Sequence, residues 1–97
     1  MMPVHISEEA LKFIKEKVSK ARKNDVVVYF AGFGWGGPKF GIEIADPNKN
    51  DELIYEDNDF KLYIDQMAKQ FLNEVNIVLK NSLFSGKYLS IKGSRSC

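Results

Sequence analysis

The sequence predicts an α+β fold, rich in strand, compact and mostly antiparallel, with two helices. Three observations predict it. Two segments repeat apolar residues at spacings of three and four; several short runs are β-branched or alternate apolar with polar; and the order helix, strands, helix, strands lacks the βαβ alternation of a parallel sheet. The 97 residues, 44% hydrophobic and 28% charged, make room for one core, hence a single domain over 1–97. Seven Phe, four Tyr and one Trp supply bulky material for that core.

Ser7, Glu8 and Glu9 precede Ala10, Leu11, Ile14, Val18 and Ala21, so residues 7–22 are expected to form an amphipathic helix. Ser7 suits the N-cap, and the two acids suit the positive end of the helix dipole. Val26 to Ala31 is β-branched and aromatic on consecutive positions, a strand covered on both faces and ending at Gly32. Phe40, Ile42 and Ile44 alternate with Gly41, Glu43 and Ala45, a strand with one inward face, and Asp46 to Asp51 follows as a turn. Leu53–Tyr55 and Phe60–Ile64 flank Asp57-Asn58-Asp59 and read as a hairpin. Asp65 caps a second helix in which Met67, Phe71, Leu72 and Val75 keep helical spacing over about ten residues, giving way near Asn76. Ile77–Leu79 and Tyr88–Ile91 complete the strands, joined through Asn81-Ser82 and Ser85-Gly86, and Gly93 to Cys97 is a polar tail.

Several function classes fall away on composition. Fourteen basic and thirteen acidic residues in mixed order give a net charge of +1, without the field a nucleic-acid binder uses to capture a polyanion. The apolar run from Val26 to Ala31 is far short of the roughly 20 residues that cross a bilayer, and the N-terminus has no signal-peptide pattern. The expectation is a cytoplasmic protein that binds neither nucleic acid nor membrane. Cys97 is the only cysteine, which forbids an intrachain disulfide and a zinc site built on several cysteines of one chain. His5, the only histidine, has no second ligand at metal-site spacing and reads as structural. The acids Asp46, Asp51, Glu52, Glu56, Asp57, Asp59 and Asp65 lack the pattern of a calcium loop and read as turn formers and a solvated face. No serine sits in a nucleophile elbow, so the chain is not read as an enzyme.

Gly32-Phe33-Gly34-Trp35-Gly36-Gly37-Pro38 contains the spacing G-x-G-x-x-G after a strand. Dinucleotide binding needs a helix to begin at the third glycine, and here Pro38 leads into a strand pattern instead, so the nucleotide reading is rejected. What remains is a glycine loop between two strands, in its plainest form a turn plugged by the aromatic side chain of Trp35.

These residues carry a resemblance. Val4-His5-Ile6-Ser7 before a helix, the glycine loop followed by Phe40-Gly41-Ile42-Glu43, the stretch from Asp51 to Tyr55, Ile64-Asp65 before a helix, and Asn76-Ile77-Val78 before the final strands resemble the HesB-like family of A-type iron–sulfur carriers. Gly37-Pro38 and the short tail resemble a branch of that family with cysteine or selenocysteine in a Gly-x-Gly-Gly-Pro loop. The resemblance implies a compact β-rich fold with two helices, a homodimer, iron or a [2Fe-2S] cluster as cofactor, and assembly or recipient proteins as partners. It also implies a ligand in the loop Gly34-Trp35-Gly36-Gly37 and two cysteines in the tail, where this chain has Trp35 and Cys97 alone. An indole cannot ligate iron, which leaves Cys97 as the candidate metal ligand. Trp35 and Cys97 are then expected to line one pocket. The codon of tryptophan is one base from that of selenocysteine, so sequencing the gene at codon 35 distinguishes an indole from a selenolate there. Two alternatives stand beside the carrier: an interaction module that keeps the fold without metal, and a thiol or selenol redox protein.

Overall fold

A computed structural model describes residues 2–84 and 86–92. In chain order the elements are β1 (Val4–Ile6), α1 (Glu8–Ala21), β2 (Asp25–Gly34), β3 (Gly37–Ile44), β4 (Glu52–Glu56), β5 (Lys61–Ile64), α2 (Gln66–Phe71), β6 (Val75–Ser82) and β7 (Gly86–Lys92). Among the described residues they form a three-stranded sheet, β1-β6-β7, and a four-stranded sheet, β3-β2-β5-β4. The α+β class with two helices holds, and the antiparallel pairs β2–β3, β4–β5 and β6–β7 are the majority. The pairs β1–β6 and β2–β5 are parallel. Each joins strands far apart in the chain, so neither leaves a local βαβ pattern in the sequence.

α1 forms where the spacing predicts it. Ser7 Oγ accepts a hydrogen bond from the Ala10 N–H at 3.1 Å, and Arg22, at φ 56°, ends the helix in the left-handed region. Ala10, Ile14 and Val18, each four residues apart, are buried and meet the core faces of both sheets. On the larger sheet those faces are set by register: Val26 stands beside Leu62 and Val28 beside Ile64, all inward. Phe60, Val75 and Ile77 complete the same core.

β6 runs from Val75 to Ser82, taking in the Asn81-Ser82 expected as part of the connection, and three other elements depart further from expectation. β2 does not end at Gly32: the glycine takes φ 96°, and a bulge between Phe30 and Phe33 carries the strand on to Gly34. α2 is six residues long rather than about ten. Leu72 is already extended at φ −124° and ψ 129°, and Val75 opens β6. Both remain buried, so the core uses them, but from a strand and its approach rather than from a helix. β1, only three residues, is too short for any periodicity to announce and forms because β6 supplies a partner.

Candidate site: an aromatic hairpin in place of a ligand loop

β2 pairs with β5 only as far as Val28, whereas its pairing with β3 continues to Gly34 and Gly37. From Tyr29 onward the hairpin is therefore a two-stranded arm that leaves the sheet. An isolated two-stranded ribbon is marginal in water and needs support. Asp65 provides some at the base: its Oδ1 accepts from the Ala68 N–H at 2.6 Å, capping α2, and its Oδ2 accepts from the Phe30 N–H at 3.2 Å. One carboxylate thus ties a helix N-terminus to the arm.

Aromatic packing supplies the rest. Phe30 stacks on Phe71 of α2 with ring centroids 5.2 Å apart at 18°. Phe33 stands edge-on to both, 5.2 Å from Phe30 and 5.6 Å from Phe71, and Phe40 meets Phe30 at 6.2 Å. The bulge makes this possible, because it returns Phe33 to the face that Phe30 occupies. Beyond Phe33 the chain turns through Trp35-Gly36, and Gly37 takes φ 106°, a conformation that glycine adopts without strain. The side chain of Lys39 lies across Gly34, so that a Cβ at position 34 would collide with its Cε.

Gly34, Trp35, Gly36 and Gly37 thus stand together at the apex of the arm, but Trp35 is not a plug. Its indole is fully exposed, and the packing role belongs to Phe33, itself 70% exposed. The apex offers backbone and an indole, neither a ligand for a soft metal. Among the described residues no group of three or more His, Cys, Asp or Glu side chains could hold a metal ion. His5 is on β1, exposed, 3.9 Å from Glu74 and beside no other imidazole. Cys97, and with it the expected meeting of tail and loop, lies outside the described residues; Lys92, the last one described before it, pairs with Asn76. The described residues therefore do not fit an iron–sulfur cluster. The sequence marks Phe71 only as an apolar position of the second helix and gives Lys39 no role. Phe71 meets the arm across 41 and 38 residues of chain, counted from Phe30 and Phe33, a proximity no local pattern encodes.

The acidic residues of the β4–β5 turn build structure, as turn formers do. Asp57 Oδ1 accepts from the N–H groups of Asp59 at 2.8 Å and Phe60 at 3.1 Å, while Lys15 of α1 lies 3.8 Å from Asp57 and 3.1 Å from Asp59. Partial burial alone would raise the Asp57 carboxyl, but those two N–H groups, Lys15 and the Tyr55 hydroxyl together hold it below the ordinary carboxylate value. Tyr55 is raised, by burial first and then by the neighbouring Asp57 charge.

Two mixed sheets, one long helix and a glycine-rich hairpin arm define a class of small β-rich domains that includes solved proteins of iron–sulfur metabolism. The crystal structure of Escherichia coli SufA, involved in biosynthesis of iron–sulfur clusters, aligns with a TM-score of 0.75 at 18% identity, covering 98% of this chain and 83% of that one. A crystal structure of IscA with the [2Fe-2S] cluster aligns at 0.72 and 16% identity, over 97% and 90%. The family model for iron–sulphur cluster biosynthesis matches residues 2–90, and the chain belongs to that family. Among its relatives, the iron–sulfur cluster insertion protein ErpA of Francisella philomiragia is 25% identical over 92 residues, 93% of this chain and 78% of that protein. The putative iron–sulfur cluster insertion protein ErpA of Nitrosospira multiformis is 29% identical over 72 residues, 72% and 57% respectively.

Proposed function

We propose that the protein serves iron–sulfur cluster assembly as a non-enzymatic homodimer that works through contacts with assembly or recipient proteins and cannot enclose a cluster with its own side chains. One observation carries this reading: the apex of the arm, where the family resemblance expects a thiolate, presents a fully exposed indole, and among the described residues no group of three or more His, Cys, Asp or Glu side chains could hold a metal ion. Cys97 is the one thiol of the chain, so a dimer brings two, whereas a [2Fe-2S] cluster takes four such ligands. Iron or a cluster passing over this protein is cargo, and its remaining ligands come from a partner or a small thiol.

Anaerobic reconstitution with ferrous iron and sulfide tests this. The purified protein alone is expected to show no thiolate-to-iron charge-transfer absorbance and no retained iron after desalting. Trp35→Cys, which doubles the thiols per dimer, is expected to gain both. A stable cluster on the unaltered chain without added thiol would overturn the reading.

A further inference from the structure

Beyond the question of cargo, the arm and α2 together form a surface with the marks of a docking site. Phe33 and Trp35 at its outer end are exposed, and Met67, one turn before Phe71 on α2, is 48% exposed, so apolar side chains run from the helix to the apex. Charge is sparse and of one sign. From Tyr29 to Gly41 the only charged residue is Lys39, and no carboxylate lies within 4 Å of it among the described residues. The one acid at the junction, Asp65, is turned onto the N–H groups of Phe30 and Ala68. On α2, Lys69 is taken up by Glu52. An aromatic surface with, among the described residues, a single unpaired cation and no free carboxylate complements an apolar cleft bordered by acids.

We propose that this surface docks an acidic protein partner, with Trp35 as the anchor entering an apolar cleft and Lys39 meeting a carboxylate on its rim. A second copy of the chain fits less well, since among the described residues this surface carries no free carboxylate to meet the Lys39 of a copy. A membrane fits less well too, since one cation is no polybasic cluster.

Trp35 is the only tryptophan, so its fluorescence reports the site directly. The probe is a synthetic amphipathic helix with leucines on one face and glutamates along its borders, titrated beside a twin carrying lysine for each glutamate. The expected result is a blue shift of Trp35 emission with the acidic helix at a protein concentration where the chain alone shows none. Lys39→Glu is expected to weaken that helix about fivefold and to favour the lysine twin. Trp35→Ala, at an exposed turn where folding is unaffected, is expected to abolish binding of the fluorescently labelled acidic helix. Equal binding of both helices, a shift driven by protein concentration alone, a shift with anionic vesicles but not with the acidic helix, or no shift would each overturn the proposal. None of these outcomes depends on whether iron is retained, so docking and cargo can fail separately.

Discussion

Asp57 concentrates four interactions on one carboxylate: two turn N–H groups, the Tyr55 hydroxyl at 3.3 Å and Lys15. Because its folded pKa is lowered, its ionised form is the better bound one. The resulting stability is complete above the ordinary carboxylate pKa near 4 and disappears as pH falls through the lower folded value. Asp57→Asn should therefore cost about 1 kcal/mol at pH 7, and the difference from the unaltered chain should shrink in urea titrations carried below pH 4. At the arm's apex the contrast is between backbone and side chain. Gly37→Ala places a Cβ at φ 106° and should cost about 1–2 kcal/mol. Trp35→Ala should leave thermal stability within about 0.5 kcal/mol of the parent, since an exposed turn side chain holds nothing in place.

At the scale of elements, α2 is the most dependent. Six residues cannot sustain a helix alone, so it persists through the Asp65 cap, buried Ala68 and the stack of Phe71 on Phe30. Asp65→Ala removes the cap and the bond to Phe30 together and should cost about 2 kcal/mol, with a loss of near-ultraviolet aromatic ellipticity as the Phe30–Phe71 stack loosens. Ser7→Ala, which affects only the cap of the longer α1, should cost about 1 kcal/mol. The same contrast explains what the sequence disclosed. α1 was legible because its cap, its acids and its four-residue spacing all agree. The spacing overextends α2 because Leu72 and Val75 are apolar for the benefit of the core, and spacing alone does not tell a helix from the approach to a strand. The sequence misplaces the end of β2 because a glycine that stops one strand bulges another, and only the aromatic partner on α2, Phe71, decides between them. For the site, the glycine loop and the absence of a ligand at Trp35 could be read directly; the support from Phe71 and the reach of Lys39 could not.

At the scale of the whole molecule, α1 and the two sheets share a single core that includes Phe60, 1% exposed and 5.7 Å from the Tyr55 ring. Phe60→Ala should cost about 3–5 kcal/mol, a large share of the roughly 5–15 kcal/mol that stabilises a domain. Thermal melts should show one cooperative transition moved far down rather than the loss of one sheet. The parallel pairing of Val4, His5 and Ile6 with Val75, Asn76 and Ile77 has a consequence for biosynthesis. β1 has no mate until some seventy further residues have emerged, and closing so wide a loop is entropically slow. The nascent chain must therefore carry β1 unzipped past both helices and the whole larger sheet, and the seam of the smaller sheet is sewn only once β6 has been made.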